Sequence, residues 1–156
     1  MQDFVHLHVH TQYSLLDGQA SVARLVDKAM KNGMKGIAVT DHGNMFGIKE
    51  FTNYVNKKNS GPKGEIKDLK KRIAGIEAGT VECEDKEAEI AACKAKIVEA
   101  ENKLFKPIIG CEMYVARRTM DLKEGKPDQS GYHLIVLAKN EKGYHNLIKL
   151  VSHAWT

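Results

Sequence analysis

The stretch FVHLHVH, residues 4–10, sets Phe4, His6, His8 and His10 against Val5, Leu7 and Val9 in strict alternation. A period of two is the side-chain period of a β-strand. The stretch therefore reads as a strand carrying three imidazoles on one face. His8 and His10 stand close enough to ligate one metal ion or two neighbouring ones. His6 lies one step farther back and reads as a core or supporting residue. Taken alone, an HxH pair is more often half-exposed surface than a metal site.

Outward from this strand the chain alternates between strand and helix patterns. Ser21 is a good N-cap for a helix with Val22, Leu25, Val26, Ala29 and Met30 on one face, closed by Gly33. GIAVT (36–40) is a short apolar strand that ends in the polar turn Asp41-His42-Gly43-Asn44. A second helix carries Ile48, Phe51 and Val55. PIIGCEMYV (107–115) and YHLIVLA (132–138) are two further strands. Such alternation predicts an α/β fold of parallel, right-handed βαβ units. RRTMDLKEGKPDQSG (117–131) is polar, contains Gly and Pro, and reads as a mobile loop between the last two strands. The closing GYHNLIKLVSHAWT reads as an amphipathic helix with Leu147, Leu150, Val151 and Ala154 on its apolar face. No capping signal follows it, so the expectation is a chain cut short at its C-terminus.

Residues 57–105 break the rhythm. KKNSGPKG is a turn-rich, flexible lead-in. Ile66, Leu69, Ile73 and Ile76 then recur at spacings of three and four, and the pattern resumes at Ile90, Cys93, Ile97, Ala100 and Leu104. This predicts an inserted antiparallel helical hairpin packed along a narrow seam. The mixed charges favour a solvated structural insertion over a DNA contact.

Composition narrows the class. The 156 residues suffice for one domain with a core, and the net charge of +4 permits a nucleic-acid partner without arguing for one. No apolar run is long enough to span a bilayer, and the opening residues lack a signal-peptide layout. Three cysteines without a CxxC pair exclude a disulfide framework or cysteine zinc finger and point to a reducing, cytoplasmic location. A P-loop is absent.

Four further residues join His8 and His10 as candidates. His42 follows a strand end, where β/α barrels gather functional side chains; the bland alternative is a plain turn. Glu112 sits in an apolar strand, where a carboxylate is costly unless paired or metal-bound; a salt bridge competes. His133 opens the last strand, and Asp17 lies in the Asp-Gly turn after the first. Either alone reads as structural. Together, His and carboxylate ligands from several strands suit zinc, manganese or iron in a di- or trinuclear site for phosphoester hydrolysis. Cys111 beside Gly110 reads as an inert buried thiol.

FVHLHVHTQYSLLDG, GIAVTDHGNMFG, KPIIGCEMYV and YHLIVLAKNEKGYHNLIKLVS resemble, in order, the opening of the DnaE-type branch of the polymerase and histidinol phosphatase (PHP) domain family, found in bacterial replicative DNA polymerase III alpha subunits. The resemblance covers nearly the whole chain except 57–105. It implies a distorted (β/α)7 barrel, of which this chain holds part, with metal ligands at His8, His10, Asp17, His42, Glu112 and His133. It implies zinc or manganese here, and Mg for a polymerase domain outside this chain. The family's remaining ligands, a cysteine and an Asp-x-His pair, are expected beyond residue 156. Implied partners are DNA, a sliding clamp and a proofreading subunit. Implied activities are DNA-directed DNA polymerisation by the whole protein and a 3′–5′ exonuclease in this module. The piece alone is expected to polymerise nothing, to hydrolyse phosphoesters poorly, and to self-associate through an open sheet edge. A stand-alone phosphatase on a small phosphomonoester and a non-catalytic scaffold docking a proofreading subunit are the competing readings.

Overall fold

The computed structural model describes residues 4–155. It is a mixed α/β structure whose chain order is α1 (Val22–Lys31), β1 (Gly36–Val39), α2 (Ile48–Lys58), α3 (Ser60–Glu77), α4 (Lys86–Asn102), β2 (Lys106–Val115), β3 (Tyr132–Leu137) and α5 (Glu141–Ala154). It divides into two compact units, residues 55–105 and the remainder.

The larger unit is built on a three-stranded sheet of order β1-β2-β3. β1 pairs with β2 in parallel, with Gly36 opposite Lys106 and Val39 opposite Ile109. β3 pairs with β2 antiparallel, with Val115 opposite Tyr132 and Gly110 opposite Leu137. The expectation of uniformly parallel strands is therefore wrong. A parallel return needs a crossover, usually helical, and residues 116–131 carry no amphipathic period. They form a braced loop with one 3-10 turn at Lys126–Asp128. Arg118 donates to Asp128 and Glu124, and Arg117 Nε donates to the Ser130 carbonyl at 2.9 Å. The Arg118 guanidinium beside Asp128 holds that carboxyl below its ordinary range.

Residues 4–10 are not a ladder strand either. Ala38 N–H donates to the His6 carbonyl and Thr40 N–H to the Val9 carbonyl, each at 2.9 Å. Three residues on this segment thus span two on β1, and the chain bends at Leu7. One extra residue disrupts a ladder, as in a bulge. Strict alternation cannot reveal such a slip. Val9 N–H turns instead to the Thr40 hydroxyl at 2.9 Å.

Helices flank the sheet for legible reasons. Ser21 caps α1 through Arg24 N–H, and Asn140 caps α5 through Gly143 N–H. Val22, Val26 and Ala29 of α1 and Leu147 and Val151 of α5 are buried. The apolar stripe of α5 is narrower than its sequence suggests, since Leu150 is 53% exposed and Ala154 is exposed as well. Cys111, Leu147 and Val151 form one core cluster, with Met45, Met113 and Val136 against it.

The smaller unit is an antiparallel pair of helices, α3 and α4. Arg72 of α3 meets Glu89 of α4 at 2.8 Å, and Asn59, before α3, meets Phe105, after α4. Ile76, Cys93 and Ala100 are buried along the seam, and Ile66, Leu69, Ile73, Ile90 and Ile97 half-buried. Ser60–Gly64 belong to helix, not to a flexible lead-in. Pro62 falls in the first turn of α3, where its missing N–H costs little. Asn59 is itself helical, with φ −81° and ψ −4°, so α2 runs almost directly into α3.

Candidate metal centre

The site lies where β1 ends and β2 passes it. Beyond Val39 the chain stays beside β2: Glu112 N–H donates to the Asp41 carbonyl at 3.0 Å, and Gly43 N–H to the Glu112 carbonyl at 2.8 Å. These bonds form a parallel bridge between His42 and Glu112. On the other side, the antiparallel register puts His133 opposite Tyr114 and diagonal to Glu112. Diagonal neighbours lie within reach of long side chains, and His133 Nδ1 stands 2.6 Å from Glu112 Oε1.

Asp41 is the hidden support. It is 1% exposed and accepts from Thr11 N–H (2.6 Å), the Thr11 hydroxyl (2.8 Å) and the Ser14 hydroxyl (2.7 Å). Ser14 Oγ in turn accepts from His42 N–H at 3.1 Å. The 11–18 loop is thereby folded back onto the strand end. A Cβ at Gly18 would meet the Thr11 carbonyl oxygen at 1.8 Å, so only glycine closes this turn. The loop presents Asp17 Oδ2 at 2.8 Å from His42 Nε2.

All six sequence candidates converge here. His10 Nε2 and His42 Nδ1 stand 2.9 and 3.0 Å from Glu112 Oε2. The His8 and His10 rings are 4.8 Å apart and those of His42 and His133 5.4 Å. Two groups offer ligand atoms within 4.8 Å of one another, His8/His10/Glu112 and His42/Glu112/His133, and Glu112 belongs to both. His6 does not join them. It is exposed, which rules out the core half of the expectation of a core or supporting role, and meets Phe4 edge-on at 4.7 Å.

The cluster fits a divalent cation. Glu112 is 4% exposed, yet its Oε2 accepts no hydrogen bond of acceptable geometry, and His10 Nδ1 is likewise buried without a partner. A buried carboxylate oxygen left in this state is expensive. A cation held between it and the surrounding imidazole nitrogens would remove that cost, and His-plus-carboxylate donors suit zinc or manganese.

Two partners escaped the sequence reading. Thr40 Oγ1 lies 2.8 Å from His8 Nδ1 and 3.3 Å from the Val9 carbonyl oxygen. One hydroxyl proton cannot serve both. When it goes to Val9, His8 donates from Nδ1 and keeps a lone pair on Nε2 for a metal. Tyr114 places its hydroxyl 3.2 Å from His42 Nδ1 and its ring edge-on to His133 at 4.9 Å. The period of two from Glu112 would have put Tyr114 on the same face. Cys111 is fully buried, and burial pushes its thiol up to about 11, which keeps it protonated and out of nucleophilic chemistry.

Comparison with known proteins gives a consistent picture. The PHP domain family matches residues 6–156. The chain is 41% identical over 152 residues to a DNA polymerase III subunit alpha of Borreliella burgdorferi, covering 96% of this chain. It is 39% identical over 153 residues to that of Treponema pallidum (97% of this chain) and 32% over 160 residues to that of Aquifex aeolicus (99%). The chain spans only 9%, 9% and 10% of the length of these three relatives.

Proposed function

Because this chain belongs to the PHP domain family, we propose that it is the N-terminal piece of a DNA polymerase III alpha subunit and that its histidine–carboxylate cluster is a divalent-metal phosphoesterase site. The whole protein would be a cytoplasmic DNA-directed DNA polymerase, working on DNA with other replicase subunits. The support is the match of nearly the whole chain to polymerase subunits of that name. Within the described residues no helix is long and apolar enough to cross a membrane.

His8, His10, Asp17, His42, Glu112 and His133 would hold zinc or manganese, with Glu112 shared between two ions. Bound there, such ions polarise a phosphoester and lower the pKa of a water molecule. The chain's own residues supply the positioning. Thr40 orients His8 through its Nδ1, and the buried Asp41 and Ser14 hold the loop that carries Asp17 against the His42 backbone. The observation that carries this reading is the buried Oε2 of Glu112, which accepts no hydrogen bond yet lies 2.9 and 3.0 Å from nitrogens of two imidazoles. A 3′–5′ exonuclease is the activity that best suits such a site beside a polymerase, and the phosphatase and scaffold readings have no comparable support.

Metal analysis after dialysis tests it. The chain should retain zinc or manganese, and the double variant His8→Ala/His10→Ala should lose it while keeping its circular dichroism. Equal metal content in parent and variant would sink the assignment.

A further inference from the structure

An aromatic row extends from the cluster. Tyr114, whose ring lies parallel to that of His42 (9° between planes, centroids 6.0 Å apart), is 55% exposed. A Cβ on the next residue, Gly43, would meet the Tyr114 ring at 3.1 Å, so this glycine is where the tyrosine lies down. The Gly43 carbonyl accepts from Trp155 Nε1 at 2.9 Å, and the indole meets Phe46 with ring centroids 6.1 Å apart. Phe46 and Trp155 are 65% and 68% exposed. Trp155 is pinned by its N–H, and Phe46 N–H donates to the side chain of the buried Asn44, which itself donates to the Tyr13 and His42 carbonyls.

We propose that Tyr114, Trp155 and Phe46 are a stacking platform for the bases of a single-stranded nucleic-acid end whose phosphate lies at the His42/Glu112/His133 cluster. This deepens the phosphoesterase reading and rests on it. Three features favour a nucleic acid over another occupant. The exposed groups are flat rings rather than aliphatic chains, and any base can stack on them regardless of sequence. Tyr114 touches His42 and His133, which would hold the metal that takes a phosphate, and a nucleotide joins a π face to a phosphate. The Tyr114 hydroxyl and the Trp155 N–H are already engaged within the chain, and all three rings remain more than half exposed.

Trp155 is the only tryptophan in the chain, so its fluorescence reads the platform directly. The zinc-loaded chain is titrated with a short oligodeoxythymidylate and with an abasic oligomer of equal length. The thymidylate should quench Trp155 saturably and the abasic strand should not. Phe46→Ala should weaken the thymidylate about tenfold, with zinc content unchanged. Zinc retained but no quenching, or equal quenching by the abasic strand, overturns the platform and leaves the metal site standing. Failure to bind zinc overturns both.

Discussion

The sheet unit and the helical hairpin bury polar groups in opposite ways. In the sheet unit Thr11, Ser14, Thr40, Asp41, Asn44 and Glu112 are all buried, and all lie at or beside the histidine cluster. In the hairpin the buried polar residue is Asn59, whose side chain accepts from Phe105 N–H at 2.9 Å and donates to the Phe105 carbonyl at 2.8 Å. The difference shows what each unit needs. The hairpin needs only a clamp at its open end, since each helix satisfies its own backbone. The sheet unit must hold ligands from separate segments against one another, and it does so with a buried hydrogen-bonded frame centred on Asp41.

Four substitutions would sharpen or break that contrast. Asp41→Ala should have the largest effect. It strands the three donors that Asp41 now accepts, at about 1–3 kcal/mol for each group left unsatisfied, and urea unfolding should show a loss of at least about 3 kcal/mol. A loss below about 1 kcal/mol would mean that the frame does not hold the loop. Asn59→Ala should cost about 2 kcal/mol, because two backbone groups of Phe105 lose their partner. Its zinc affinity should equal that of the parent, and a drop there would erase the distinction between the units. Glu112→Gln should weaken zinc binding at least about tenfold, or about 1.4 kcal/mol. Its metal-free melting temperature should stay level or rise, since a buried carboxylate with one oxygen lacking a hydrogen bond is removed. A lower melting temperature would mark Glu112 as structural rather than a ligand. Arg72→Ala breaks the partly exposed pair with Glu89 and should change stability by less than about 1 kcal/mol; a larger change in urea unfolding would give the hairpin a second clamp.

The two units also differed in how far they could be read in advance. The hairpin was legible because its seam repeats locally: Ile73 and Ile76, or Cys93 and Ala100, lie on one face by helical geometry alone. Its one misread segment, Ser60–Gly64, carries turn-forming residues that a helix tolerates in its first turn. The six metal-site candidates were legible as residue types at strand ends and in an apolar strand. Their partners were not. Thr40 read as a strand end and Asp41 as a turn residue, and their roles come from His8, Thr11 and Ser14, about 30 positions away.

What the amino-acid sequence determined by itself was local: the caps at Ser21 and Asn140, the helix periods, the apolar strands, and a set of imidazoles and acids of the right chemistry. What the tertiary structure decided was direction and register. Antiparallel pairing of β3 brings His133 diagonal to Glu112, and residues 6–9 slip by one against 38–40. Neither is visible along the chain, because a strand's pattern states which residues share a face but not which strand lies beside it, in which direction, or in which register.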